Sequence, residues 1–262
     1  MTDRAAGPAQ RSFADLVAEG AAEPVAGWDF SWFEGRATEE RPPWGYARMM
    51  AARMAGAQAA LDVQTGGGEV VATALTAVPQ PPPVLVATES WPPNMTIAAA
   101  NLRPLGGRVV QAADDGGLPF GAETFDLVVS RHPVETVWPE VARVLRPGGH
   151  YFSQQIGAGT NRELIEFMMG PVPVNPARDP RRAVAAAEAA GLVVTDLREQ
   201  ALRTVFNDVG AVVYFLRKVL WTVPGFTVEA YHERLRRMHD QIQAEGPFVA
   251  HAQRFLIEAR KP

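Results

Sequence analysis

With 262 residues, 47% of them hydrophobic, the chain is long enough to bury one substantial core and to carry helical additions to it. Lys and Arg number 25 against 29 Asp and Glu, a formal net charge of -4, and no Lys/Arg run could track a phosphate backbone, so a nucleic-acid partner is disfavoured. The lack of any Cys excludes disulfides, thiolate metal sites, Cys nucleophiles and iron–sulfur radical chemistry together, because each needs a sulfur ligand or thiolate.

The start, MTDRAAGPAQRSF, lacks an apolar targeting segment, and no stretch is long and apolar enough to span a bilayer. A cytoplasmic protein with no membrane partner is expected. Phe13, Leu16 and Val17 share one amphipathic turn, and Trp28, Phe30, Trp32, Phe33, Trp44 and Tyr46 follow in a loop-rich stretch. From Ala59 the pattern changes to short apolar runs alternating with helical segments: ALDV, GGEVVATAL, PVLVAT, NMTIAAANL, RVVQAA, FDLVVS, VARVL and HYFSQQI. That alternation predicts an α/β fold, a doubly wound, mostly parallel sheet with helices on both faces. Pro-rich breaks at Pro79 to Pro83 and at Pro171 to Pro180 mark loops. Beyond the second, Pro180 to Ala190 reads as a helix ended by Gly191, Leu192 to Val205 as a long strand, and Asn207 to Leu220 and Thr227 to Ala244 as two helices, the latter with Thr227 as N-cap. Phe248 to Glu258 reads as a last strand. The expected division is a helical, aromatic lid over 1–57, a sheet core over 58–206 and 247–262, and a helical insertion over 207–246 that caps the acceptor.

The segment carrying most chemistry is Leu61-Asp62-Val63-Gln64-Thr65-Gly66-Gly67-Gly68-Glu69, an apolar strand ending in an acid and then a glycine turn that opens a helix. Gly has no Cβ, so a ligand can approach the backbone at Gly66 and Gly68, and the turn lies at the carboxyl end of a strand, where open sheets bind ligands. The next strand ends at Glu89, about 20 residues past the turn, where a carboxylate accepts both ribose hydroxyls of a nucleoside. A third strand ends in Asp114-Asp115. Three strand-end acids in sequence suggest a nucleoside cradle, to which Asp62, Gln64, Thr65, Ser90, Trp91 and Ser130 are neighbours in the same strand-end segments. The G-x-G-x-x-G spacing of a nicotinamide dinucleotide site is missing, and Glu69 beside the turn would repel a pyrophosphate.

These residues resemble the class I S-adenosylmethionine-dependent methyltransferases, whose motifs run in the same order: glycine turn, ribose acid, adenine acid, Phe-Asp strand (Phe125-Asp126) and Leu-Arg-Pro-Gly-Gly turn (Leu145 to Gly149). The resemblance covers Ala59 to Gln155. It implies a seven-stranded Rossmann-like sheet with S-adenosyl-L-methionine as cofactor and S-adenosyl-L-homocysteine as product. In such proteins the turn holds the methionine end, Glu89 the ribose, and Asp114 the adenine amino group. The family usually has glycine where Gln64 stands; Gln64 either points aside, or its amide bonds the methionine carboxylate or narrows the site.

The resemblance also implies a last antiparallel strand pair, here Leu192 to Val205 and Phe248 to Glu258. About forty residues between them form an insertion, because hairpins usually close in a few residues. Insertion and aromatic stretch are the candidate acceptor pocket, with Trp28, Trp32, Trp44, Tyr214 and Trp221 as substrate contacts; an apolar, aromatic lining suits a small-molecule methyl acceptor and stabilises a cation. His132 follows the fourth strand beside the expected methyl position and is the first candidate for acid/base or substrate-orienting work, with Tyr46 and Asp208 behind it. His232 and His239 share a helix face among Glu229, Glu233 and Arg236, which suits a solvated surface rather than a metal site. No metal is implied. Monomer and homodimer both remain open, as does a cofactor-binding protein of this fold without turnover.

Overall fold

The computed structural model describes residues 11–25 and 30–262, so Trp28 lies outside the described residues. Strands are β1 (Ala37–Glu39), β2 (Ala59–Asp62), β3 (Val84–Glu89), β4 (Arg108–Gln111), β5 (Phe125–Arg131), β6 (Leu145–Ile156), β7 (Val193–Phe206) and β8 (Phe248–Arg260). Helices are α1 (Phe13–Ala22), α2 (Tyr46–Met54), α3 (Glu69–Leu75), α4 (Pro92–Leu102), α5 (Trp138–Val144), α6 (Arg162–Met169), α7 (Pro180–Ala189), α8 (Val209–Lys218) and α9 (His232–Glu245). Among the described residues the strands form one sheet of eight, in the order β1-β7-β8-β6-β5-β2-β3-β4. The expectation was seven; the eighth is the short β1, which pairs antiparallel with the end of β7 from Ala37 opposite Phe206 to Glu39 opposite Thr204.

By its internal contacts the chain divides into two compact units, one of residues 1–40, 161–173 and 203–251, the other of 41–160, 174–202 and 252–262. In the second unit β2 lies between β3 and β5, with β4 beyond β3 and β6 beyond β5, all parallel, while β8 runs antiparallel to β6. Every residue of β2 is buried, as a central strand covered on both faces must be. Alternate residues feed opposite faces: Ala60, Val129, Phe152 and Leu256 pack with Met50 and Met54 of α2, whereas Leu61, Val128, Tyr151 and Ile257 pack with Trp138 and Val141 of α5. The run Val141 to Leu145, one of the apolar segments of the sequence, is mostly helical because it supplies this second face. The Phe-Asp motif acts locally. Phe125 fills the core while the Asp126 carboxylate accepts the Gln58 and Ala59 amides at 2.9 and 3.0 Å, tying the start of β2 to β5.

The first unit is mainly helical. Phe13, Leu16 and Val17 of α1 pack with Val209, Val212 and Val213 of α8 and with Leu235 and Met238 of α9. Ser12 caps α1 and Asp15 returns the bond to the Ser12 amide, a reciprocal cap that stops the helix fraying. Asp208 caps α8 by accepting from the Ala211 amide at 2.9 Å, so it is a helix cap and not a free acid. The helix expected from Thr227 begins at His232 instead. Thr227 Oγ1 accepts from the Ala230 amide at 3.1 Å and closes a separate turn before it.

Candidate functional site

The site is built at the carboxyl ends of β2, β3 and β5 and in the loop after β4, all in the second unit. Past Asp62 the chain turns sharply, with positive φ at Gln64 (58°), Gly66 (64°) and Gly68 (76°). Gly68 opens α3, and a Cβ there would lie 3.1 Å from the Leu102 side chain, so close packing as well as φ demands glycine. Gln64 takes the same left-handed backbone without that freedom.

Glu89, at the tip of β3 and buried, bends back onto the turn. Its Oε2 accepts from the Gly66 amide at 2.8 Å and its Oε1 from the Ser90 and Trp91 amides at 3.0 and 2.9 Å. Ser90 Oγ donates to the Asp114 carboxylate at 3.1 Å, which ties the tip of β3 to the loop after β4; the strand expected to run to Ala113 ends at Gln111, so Asp114 is a loop acid. The turn, Glu89, Ser90 and Asp114 are therefore brought together, while Asp115 is exposed and the Trp91 side chain half exposed. Asp62 is buried beneath the turn, and burial, helped by the Glu89 charge, pushes its carboxyl up to about 7.

Ser130 is buried at the end of β5, its hydroxyl 2.9 Å from both Tyr151 Oη and Ser153 Oγ. Tyr46 donates its hydroxyl to the Ser130 carbonyl at 2.6 Å and stacks on Phe152, and burial drives its pKa well above 10. It serves as an anchor for α2 against β5. His132 also has positive φ (55°), with its amide donating to the Gln154 carbonyl at 2.7 Å. Burial, then the charges of Arg131, Arg254 and Arg178, hold its imidazole well below 6.5, so the ring is neutral at pH 7. Its Nε2 lies 3.0 Å from Gln154 Nε2, and Gln154 Oε1 accepts from Trp44 Nε1 at 2.8 Å. Among the other substrate candidates, Trp32, Tyr214 and Trp221 belong to the first unit. Tyr214 is buried against Trp32 and Phe33 with its hydroxyl accepting from Lys218 at 3.2 Å; the Trp221 side chain is half exposed.

The Gln64 side chain is held by backbone groups. Its Nε2 donates to the Asp114 and Glu135 carbonyls at 3.2 and 2.8 Å, and its Oε1 accepts from the Val134 amide at 2.6 Å. The side chain thus crosses from the glycine turn to the loops after β4 and β5. A cavity of about 20 Å³ remains, lined by Val63, Gln64, Asp114, Gly116, Ser130 and Glu135 among others, room for one water. The positive-φ turn and the acids beside it suit an adenosyl group, and the Gln64 side chain spans from that turn to Asp114. Val134, Glu135 and Gln154 are the residues that sequence reasoning missed, the first two readable only as lying just past a strand end.

Residues 61–153 match the family profile described as Methyltransferase domain. No curated protein matches the sequence. Among solved structures, a methyltransferase candidate of Bacillus halodurans is 19% identical with a TM-score of 0.56, covering 82% of this chain and 98% of its own. The YcgJ protein of Bacillus subtilis is 17% identical with a TM-score of 0.57, covering 82% and 97%. The cyclase SpnF is 16% identical with a TM-score of 0.50, covering 82% and 80%. The matched segment contains the glycine turn, Glu89 and Asp114, and the solved structures share the fold.

Proposed function

We propose that this protein is an S-adenosylmethionine-dependent methyltransferase acting on a small-molecule acceptor. One observation carries the reading: the positive-φ glycine turn, Glu89 and Asp114 meet at one carboxyl edge of neighbouring parallel strands, joined by the Glu89 to Gly66 and Ser90 to Asp114 bonds. In this reading Gly66 and Gly68 line the methionine end, Glu89 the ribose and Asp114 the adenine. The cofactor supplies an already activated methyl group on a sulfonium, so alignment and exclusion of water account for most of the acceleration.

His132 and Trp44 stand on the acceptor side. Trp44 Nε1 has only a proton to give, so Gln154 Oε1 must face it and Gln154 Nε2 must face His132. The His132 Nε2 lone pair is then occupied and Nδ1 carries the proton. His132 is a donor that orients an acceptor, not a strong base.

A second reading, a protein of this fold that does not turn over, draws on the Gln64 amide lying across the channel. Titrating S-adenosylhomocysteine calorimetrically into the native chain and into Gln64→Gly tests both. Saturable binding that Glu89→Ala abolishes is expected. Binding by neither protein removes the methyltransferase reading, and binding without turnover of any acceptor favours the second.

A further inference from the structure

A side chain of the protein itself, that of Gln64, spans from the glycine turn to Asp114. From the positive-φ backbone of Gln64 the amide meets one carbonyl after β4 and both a carbonyl and an amide after β5. Every hydrogen-bonding direction but one is satisfied by backbone: both amide protons donate and the oxygen accepts once. Three distances of 2.6 to 3.2 Å describe a built contact rather than a side chain drifting in solvent. Beside the Gln64 side chain, toward Ser130 and Tyr151, only about 20 Å³ is left. The backbone around the plug is pinned separately: the Gln64 amide donates to Thr88 Oγ1 at 3.2 Å and the Thr65 amide to the Thr88 carbonyl at 2.9 Å. The side chain can therefore swing without breaking these backbone bonds.

We infer that Gln64 is an internal gate on the cofactor channel, which stays closed until the amide gives up its bonds to Asp114, Val134 and Glu135. The inference rests on the methyltransferase reading and adds what sets cofactor affinity. Whatever fraction of molecules has Gln64 swung out is the fraction competent to bind, and apparent affinity falls by that factor. Gln64 also clamps two loops together, so the ligand-free loops are ordered by the residue that the ligand displaces.

Gln64→Gly removes the plug and suits the positive φ; Gln64→Ala removes the amide while keeping a Cβ and controls for backbone relaxation. Dissociation constants for S-adenosylhomocysteine are measured by calorimetry on the native chain and both variants, with folding checked by circular dichroism. At least tenfold tighter binding by both variants is expected, about 1.4 kcal/mol. Equal or weaker binding by the variants overturns the gate and leaves the methyltransferase reading standing. Binding by none of the three overturns the reading and the gate with it.

Discussion

Trp44 and His132 grip opposite ends of one amide, that of Gln154, at 2.8 and 3.0 Å. A tryptophan 110 residues away in sequence thereby fixes which way Gln154 points and, through it, the tautomer of the histidine. Burial and three arginines keep that ring neutral. Carbon and nitrogen shifts of the His132 ring are expected to show no protonation step between about pH 6 and 8. In Gln154→Glu a carboxylate replaces the amide beside Nε2, and the ring is expected to titrate at higher pH than in the native chain. A native ring that titrates near 6.5 would refute this account.

Asp62 gives a second pH effect, of defined sign. Its folded value of about 7 lies above the 3.8 of an unstrained carboxyl, so between these values the unfolded chain has released a proton that the folded chain keeps. The stabilisation is complete below about pH 4 and is lost as pH rises through about 7, at about 1.4 kcal/mol per pH unit. Asp62→Asn lacks this ionisation. Relative to the native chain, its urea midpoint is expected to improve steadily from pH 4 to 7; a difference independent of pH would contradict the assignment.

In the helical unit, α1 and α8 touch backbone to backbone. A Cβ on Gly20 would lie 2.3 Å from the Gly210 carbonyl oxygen, and one on Gly210 would lie 2.4 Å from that of Leu16. Neither neighbour is a flexible side-chain end, so the helices would have to separate. Gly20→Ala and Gly210→Ala are each expected to cost about 1–3 kcal/mol in chemical denaturation. An alanine gain of the kind seen at open helical positions would show that the close approach is not maintained.

The order of strand, turn and acid was legible because each is local. An apolar run ends in Asp62, a turn needs Gly66 and Gly68, and a strand tip carries Glu89, all within short stretches of chain. The helix expected at Thr227 failed for an equally local reason. A Thr side chain can close a single turn on the Ala230 amide as readily as it caps a helix, and the two are alike in sequence. The eighth strand escaped notice because Ala37 to Glu39 has no apolar alternation and exists only by pairing with β7.

Sequence alone determined the class of fold, the glycine turn and the acids at the strand ends, because apolar periodicity and backbone φ are properties of neighbours along the chain. It also marked Gln64 as the departure from pattern. Where the Gln64 amide goes was decided only by tertiary structure, since its partners are backbone groups of residues 114, 134 and 135, which the sheet delivers to one place. A side chain with several rotatable bonds takes its direction from partners distant in sequence, and these exist only once the strands have paired.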